Sequence, residues 1–143
     1  MDNPSFQTLL AFRLVRGSLS MAVGRSMRTS FKWLCKNHKG EMICHICNLP
    51  TTKGDRNCDH LIPVSLCWIL GMYEMLWEPR NMRVAHPSCN SYRSNDVSIL
   101  PVKAQQHLLN ALKKIELDED ETEIVRAAFR IPPHVSIAEF ELP

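Results

Sequence analysis

The sequence predicts an α+β fold in which a small metal-pinned core is wrapped by helices at both ends. Apolar residues recur at helical spacing near both termini, and two short strand-like runs lie between two Cys/His pairs in the centre. A chain of 143 residues is most simply one domain with a modest core. We therefore expect a single domain over residues 1–143, comprising a basic helical part (1–40), a core with a helical insertion (41–97) and C-terminal helices (98–143).

Helical periodicity supports two helices before the core and two after it. The first begins near Phe6 and stops at Gly17, and the second covers about residues 26–38, with Cys35 on its apolar stripe as a buried thiol. Two further amphipathic helices are expected at residues 103–116 and 122–129. The acidic run 118–121 would separate them, and Pro132-Pro133 would end the second.

The central part of the sequence predicts two strands and a partly helical insertion between them. Residues 58–62 and 81–84 are the expected strands, and His86-Pro87 should introduce a helix through about Asn95. The apolar stretch 63–77 is expected to be an insertion, helical in part, that packs on the core. Its aromatic residues could stack on bases, but we expect Trp68 and Trp77 to belong to the core.

Two pairs of metal-binding side chains have the same two-residue gap. Cys44-x-x-Cys47 and His86-x-x-Cys89 can each chelate one tetrahedral Zn²⁺, because a tight turn aims both side chains of a pair at one point. Six cysteines in a secreted protein would suggest disulfides, but chelating pairs of this spacing favour an intracellular zinc protein. Three nearby residues remain alternative ligands from the sequence alone: His45, Cys58 and Cys67.

The net charge of +2 conceals a strong asymmetry along the chain. Residues 1–57 contain nine Lys or Arg against three Asp or Glu, whereas residues 104–143 contain four against eight. The basic segment suits nucleic-acid phosphates, for which Arg25, Arg28 and Lys32 are the candidate contacts. A solvated face of amphipathic helices would produce the same pattern, so the charge alone does not decide between them.

No segment of the sequence has the features of a secretory signal or a membrane span. Asp2 occupies the place where a signal peptide carries positive charge, and Arg13 and Arg16 interrupt the first apolar run. No stretch approaches about 18 uncharged apolar residues. We therefore expect a soluble, cytoplasmic protein that does not bind a membrane.

A further set of polar residues lies between and beside the two metal-binding pairs. It comprises Asp59-His60, followed by Leu61-Ile62-Pro63, then Asn81, and Asn90 directly after Cys89. In this order, with the two pairs around them, these motifs resemble the zinc-containing branch of the HNH (ββα-metal) endonucleases. The resemblance covers residues 44 to about 93. It departs from the family at His86, where zinc-bearing members usually carry cysteine, although a neutral imidazole is an ordinary zinc ligand.

The resemblance implies a site with two metals and one base. His60 would be the general base, while Asp59 and Asn90 would bind a catalytic Mg²⁺ or Mn²⁺ through hard oxygen donors. Asn81 would tie the loop between the strands and so orient His60. Arg93, one helical turn after Asn90, would contact the phosphate or be a simple exposed helix charge. Zinc on Cys44, Cys47, His86 and Cys89 would be structural.

The expected function is therefore divalent-metal-dependent DNA cleavage, with DNA as the partner. One rival is a non-catalytic zinc ribbon that only binds nucleic acid, and another is a toxin or regulatory protein that binds a protein partner through its acidic C-terminal helices. Small free-standing HNH proteins of this size are similar to those of phages and mobile elements, which would place the chain in the host cytoplasm. A homodimer, the DNA sequence and nick versus double-strand cut stay open.

Overall fold

The computed structural model describes residues 42–143, and every structural statement below concerns that part of the chain. The two predicted N-terminal helices lie outside it, together with Cys35 and the three basic residues Arg25, Arg28 and Lys32. Residues 42–143 form a mixed α+β structure with one two-stranded sheet and four α-helices. The α+β class is thus confirmed for this part of the chain.

The sheet consists of two short antiparallel strands, β1 (Asn57–His60) and β2 (Met82–Ala85). Asp59 pairs with Arg83 and His60 with Met82. Both predicted strands exist, but β1 ends at His60 and β2 begins only after Asn81. Because successive side chains of a strand point to opposite faces, Asp59 and His60 leave β1 on different sides.

The segment between the strands is helical in part, as its sequence predicts. Helix α1 (Val64–Ile69) is followed by two 3-10 helices, Tyr73–Leu76 and Pro79–Asn81. Gly71 has a φ of 66°, the left-handed conformation that glycine adopts without steric cost, and it turns the chain after α1. The segment therefore folds back on itself and packs most of its apolar residues into the core.

The two tryptophans of this segment have different environments. Trp77 is half-buried against the core, in agreement with its predicted role, whereas Trp68 is 57% exposed and the prediction that it is a core residue is wrong. Helix α1 buries Leu66 and Cys67 on its inner face. Trp68 follows directly and lies on the outer side of the same helix, so the apolar run 63–77 is too rich in large residues to bury all of them.

Three further helices complete the structure: α2 (Pro87–Arg93), α3 (Val102–Leu112) and α4 (Glu119–Phe129). The inner faces of α3 and α4 join the insertion in one hydrophobic cluster, in which leucine is the commonest buried residue. The predicted helices at residues 103–116 and 122–129 exist with shifted bounds. The cluster contains no residue of either strand or of α2.

The acidic run was expected to separate two helices, but it begins the second one. Asp118 caps α4, and its carboxylate accepts a hydrogen bond from the Glu121 backbone N–H at 2.8 Å. The Glu121 side chain accepts one in return from the Asp118 N–H at 3.1 Å. Negative charge at a helix N-terminus is stabilised by the helix dipole, so the run favours the helix.

The capping box makes a testable contribution to stability. Replacing Asp118 by Ala should lower the free energy of unfolding by about 1 kcal/mol, because one backbone N–H of the first turn loses its acceptor. Chemical denaturation of zinc-saturated protein measures the change. Asp120→Ala is the matched control, since it removes the same charge from the same turn without a capping bond. Equal losses in both variants would show that charge, and not the cap, stabilises α4.

Two polar groups in this core are buried without a metal-binding role. Cys67 is fully buried, and burial together with the nearby Glu74 carboxylate raises the pKa of its thiol to about 12. Neither carboxylate oxygen of Glu74 has a hydrogen-bond partner. Cys67 is therefore protonated at neutral pH, which makes it a packing residue and a poor metal ligand.

Candidate metal centre and adjacent polar pocket

The first pair of candidate ligands lies on a tight turn that precedes β1. Ile43 and Pro50 form an isolated antiparallel bridge, and the Asn48 N–H donates to the Cys44 carbonyl at 2.9 Å. Asn48 has a φ of 62°, a left-handed conformation that asparagine tolerates better than most residues. The turn closes the four residues from Cys44 to Cys47 into a loop and places both thiols on the same side.

The second pair lies at the start of α2. His86 is the N-cap residue, Pro87 occupies the first helical position, and Cys89 follows within the first turn. Residues three apart lie on the same face of a helix, so both side chains point to one place. The candidate ligand atoms of four residues then lie within 4.8 Å of one another: Cys44, Cys47, His86 and Cys89. This Cys3His cluster could hold a structural metal such as zinc.

Hydrogen bonding prepares His86 for metal binding. Its Nε2 lies 3.1 Å from the Pro50 carbonyl oxygen, which can only accept, so this nitrogen carries the proton. The unprotonated Nδ1 lies 3.3 Å from Cys47 Sγ and 3.8 Å from Cys89 Sγ. A backbone acceptor behind an imidazole is the usual way to fix the tautomer of a metal-binding histidine. His86 therefore suits the site as well as a fourth cysteine would.

The thiols of Cys44 and Cys89 differ in their pKa values. Burial alone would raise the pKa of Cys44, but backbone N–H groups of Cys47, His86 and Ile46 donate towards its sulfur and lower the pKa to about 6. Burial and the neighbouring Cys44 and Cys47 raise the pKa of Cys89 to about 11. The Cys44 thiolate therefore forms readily at neutral pH, and its negative charge opposes the formation of a second thiolate at Cys89. A divalent cation removes that opposition and would displace the proton of Cys89.

The alternative ligands that the sequence left open lie elsewhere. Cys58 is half-buried on β1, and Cys67 donates to the Ile62 carbonyl inside the core, so neither belongs to the cluster found within residues 42–143. His45 turns away from the thiols towards Asp59, at 2.6 Å. His86 is thus the residue that completes the cluster.

A polar pocket of about 310 Å³ lies between β1, α1 and α2. His60 and Asp59 contribute from the end of β1, Val64 from the first turn of α1, and Asn90 from α2. Asn90 directly follows Cys89, so the thiol cluster and the pocket share the beginning of one helix. Any metal that fixes Cys89 would also fix this wall of the pocket.

His60 lines this pocket and is held in a defined tautomer. It is 6% exposed, and its Nε2 lies 2.9 Å from the Leu76 carbonyl oxygen. Because a carbonyl only accepts hydrogen bonds, Nε2 carries the proton and Nδ1 of the neutral ring keeps a free electron pair. The ring can therefore accept a proton at Nδ1 while the backbone holds its other side.

The two asparagines make different contacts. Asn81 is fully buried; its Oδ1 accepts from the Ile62 N–H at 2.8 Å, and its Nδ2 donates to the Met75 carbonyl at 3.0 Å. It thereby joins the ends of the insertion next to His60. Asn90 uses its Nδ2 on β1, donating to Asn57 Oδ1 and the Cys58 carbonyl. Its carbonyl oxygen is the atom that could approach a cation in the pocket.

The carboxylate of Asp59 is shared by two donors. Its Oδ2 lies 2.6 Å from His45 Nε2 and 2.7 Å from Arg93 Nη1. Arg93 is 8% exposed and also donates to the His60 and Leu61 carbonyls, so the alternative of an exposed helix charge is wrong. Its guanidinium is engaged by the protein, and contact with nucleic acid stays a prediction.

Sequence reasoning missed the part that His45 plays. A histidine between two metal-binding cysteines has no recognisable pattern of its own, and its partner Asp59 lies 14 residues further along. The His45 N–H also donates to the Val84 carbonyl at 3.0 Å, which attaches the turn to β2. Because His45 lies between Cys44 and Cys47 in the chain, it connects the thiol cluster directly to Asp59.

Comparison with known proteins identifies no relative of this chain. The chain matches no family model, and searches among curated proteins and solved structures find no significant similarity. Within residues 42–143, no helix is both long and apolar enough to cross a membrane.

Proposed function

We propose that this chain is an HNH (ββα-metal) endonuclease of the zinc-containing branch, which hydrolyses DNA with a divalent cation. The observation that carries the proposal is the pocket lined by His60, Asp59 and Asn90, which lies beside the Cys3His cluster. The order β1, β2 and α2 agrees with a ββα core, with the insertion between its two strands. A module that only binds DNA needs none of the three pocket residues.

His60 is the group that would activate water. A water molecule in the pocket would give its proton to Nδ1, while Nε2–H stays bonded to the Leu76 carbonyl. That bond keeps the ring in place and stabilises the positive charge that the imidazole gains. Asn81, which ties Ile62 to Met75, holds the segment that carries Leu76 and so acts on His60 indirectly.

Asp59 and Asn90 are the residues that would hold the catalytic cation, through a carboxylate and an amide oxygen. Bound Mg²⁺ or Mn²⁺ would neutralise charge on the phosphate and on the leaving 3′ oxygen. One oxygen of Asp59 is already shared by Arg93 and His45. Because the guanidinium offsets the carboxylate charge, we expect this cation to bind more weakly than it would to an unpaired aspartate, and the substrate phosphate to strengthen its binding.

The structural metal would connect these parts. Zinc on the Cys3His cluster would fix the turn that carries His45 and the helix start that carries Asn90. Both residues reach β1, His45 through Asp59 and Asn90 through Asn57 and Cys58. The metal would therefore position the catalytic pocket without taking part in the reaction. DNA phosphates would be held by the N-terminal basic segment, with Arg25, Arg28 and Lys32 as the candidates.

A plasmid assay in Mg²⁺ or Mn²⁺, scored for nicked and linear product, tests the proposal. Asp59→Ala and Asn90→Ala should cut slowly in Mg²⁺ and recover part of their activity at high Mn²⁺, because both lose a ligand of the cation and keep the base. Their zinc content should equal that of the parent. Asp120→Ala, which removes an exposed carboxylate on α4, is the control and should cut normally.

The contrary result is equally clear. If the parent protein retards DNA in a binding assay but leaves it intact in both cations, the chain is a non-catalytic zinc ribbon that only binds nucleic acid. The ion pair between Asp59 and Arg93 would then serve only to hold α2 on β1. If Asn90→Ala cuts as fast as the parent, the cation lies elsewhere.

A further inference from the structure

Trp68 and Tyr73 form an exposed aromatic pair on the outer side of the insertion. Their ring centroids lie 4.8 Å apart with an interplanar angle of 57°, and the two residues are 57% and 37% exposed. A tilted contact of this kind fixes the orientation of both rings and leaves ring surface open. Neither ring fills the core, because Leu66 and Cys67 are the residues that α1 buries there.

The backbone beneath this pair is firmly held. Helix α1 buries Leu66 and Cys67 on its opposite side, and the Met72 N–H donates to the Cys67 carbonyl at 2.8 Å. Gly71 makes the left-handed turn that brings Tyr73 back towards Trp68. The two rings are thus presented by a fixed turn and do not lie at the tip of a long loop.

The aromatic pair lies next to the pocket that contains His60. Val64, in the first turn of α1, lines that pocket and is exposed like Trp68. Residues four apart lie on the same face of a helix, about 6 Å apart along its axis. Successive nucleotides of one DNA strand are spaced by about 3.4 Å along the duplex axis. On this spacing Trp68 would lie about two nucleotides from a phosphate bound in the pocket.

We propose that Trp68, supported by Tyr73, stacks on an unpaired base next to the scissile phosphate, so that the preferred substrate is DNA with single-stranded character at the cut. This inference rests on the proposed nuclease function. Both faces of a base inside an intact duplex are covered by its neighbours, whereas an unpaired base can lie on an aromatic side chain. Stacking of this kind is tolerant of sequence, because every base has an aromatic face.

The size of the patch argues against a protein occupant. A stable interface between two chains covers about 800 Å² on each partner, and a single aromatic side chain buries only about 150–250 Å². Trp68, Tyr73 and Val64 together cannot reach the area of such an interface. One base, in contrast, matches the size of one exposed indole and needs no wider apolar surface.

Binding measurements on the zinc-loaded full chain, without added Mg²⁺ or Mn²⁺, test the proposal. The probes are a single-stranded oligonucleotide and the matching duplex, each followed by fluorescence anisotropy, with 2-aminopurine in the single strand to report stacking. Trp68→Ala should weaken single-strand binding about tenfold, remove the 2-aminopurine quenching and leave duplex binding unchanged. Trp68→Phe should retain most of the affinity and the quenching.

Tyr92→Ala is the matched control. Tyr92 is a 92% exposed aromatic residue on α2 that lines a different cleft, together with Arg93 and Asp96. Its removal should leave both affinities unchanged. Equal losses for Tyr92→Ala and Trp68→Ala, or an equal loss of duplex binding in Trp68→Ala, would overturn the proposal, since general apolar contact would then explain the effect.

Other occupants of the patch produce different results, and each overturns the proposal. A lower melting temperature of Trp68→Ala with unchanged DNA binding would show that another segment of this chain covers the ring. A shift from dimer to monomer would show that a second copy covers it. If the parent cuts plasmid while Trp68→Ala binds single strands normally, this inference fails and the nuclease stands. If the parent never cuts but the quenching depends on Trp68, the nuclease fails and the stacking site stands.

Discussion

Replacing His60 by Ala should slow DNA cleavage by about two to four orders of magnitude, the range expected when general-base catalysis is lost. His60 is the imidazole whose Nε2 is bonded to the Leu76 carbonyl, so its Nδ1 is available for a proton in the pocket. Alanine removes this acceptor, and no cation replaces it. High Mn²⁺ should therefore rescue Asp59→Ala and Asn90→Ala in part and leave His60→Ala inactive. Initial rates of plasmid nicking measure the difference.

The matched control for this variant is His134→Ala, which removes an exposed imidazole from the C-terminal segment. It should cut at the rate of the parent. Zinc content and circular dichroism should be unchanged in both variants, because neither histidine belongs to the Cys3His cluster. If His60→Ala cuts as fast as the parent, the base lies elsewhere and the HNH mechanism does not apply to this chain.

Loss of the structural metal should have the largest effect on stability. We expect one zinc per chain, and Cys44→Ala or Cys89→Ala should unfold or aggregate the protein, because binding of a structural zinc contributes on the order of 10 kcal/mol to folding. The turn at Cys44 and the start of α2 contribute no residue to the main hydrophobic cluster, and the second cluster within residues 42–143 consists of only Met42, Met82 and Val84. Elemental analysis together with thermal unfolding measures the loss.

Two conservative variants test the identity of the ligands. His86→Cys should keep the zinc, because a thiolate can replace the imidazole in a tetrahedral site. Cys58→Ser should be nearly neutral, since Cys58 lies outside the cluster. Zinc lost from Cys58→Ser alone would assign the fourth ligand to Cys58. Folded and active parent protein that contains no zinc would rule out the metal centre altogether.

Local patterns in the sequence were sufficient for several features of residues 42–143. The spacing of Cys44 with Cys47 and of His86 with Cys89 depends only on a turn and on one helical turn, so the sequence predicts that each pair converges on one point, whereas the meeting of the two pairs depends on the fold. The short strands, the helix that starts at Pro87 and the partly helical insertion have equally local causes. The capping box at Asp118 is also a local pattern, and the prediction that the acidic run separates two helices is wrong because the run begins α4.

Only the tertiary structure decided how the polar residues of the pocket are held. The Leu76 carbonyl selects the tautomer of His60, and both His45 and Arg93 share Asp59, although none of these pairs is close in sequence. The exposure of Trp68 likewise depends on how much apolar surface α3 and α4 can cover. Spacing along the chain determines which side chains share a turn or a helix face, whereas contacts between segments depend on packing, which sums many weak interactions across the whole fold.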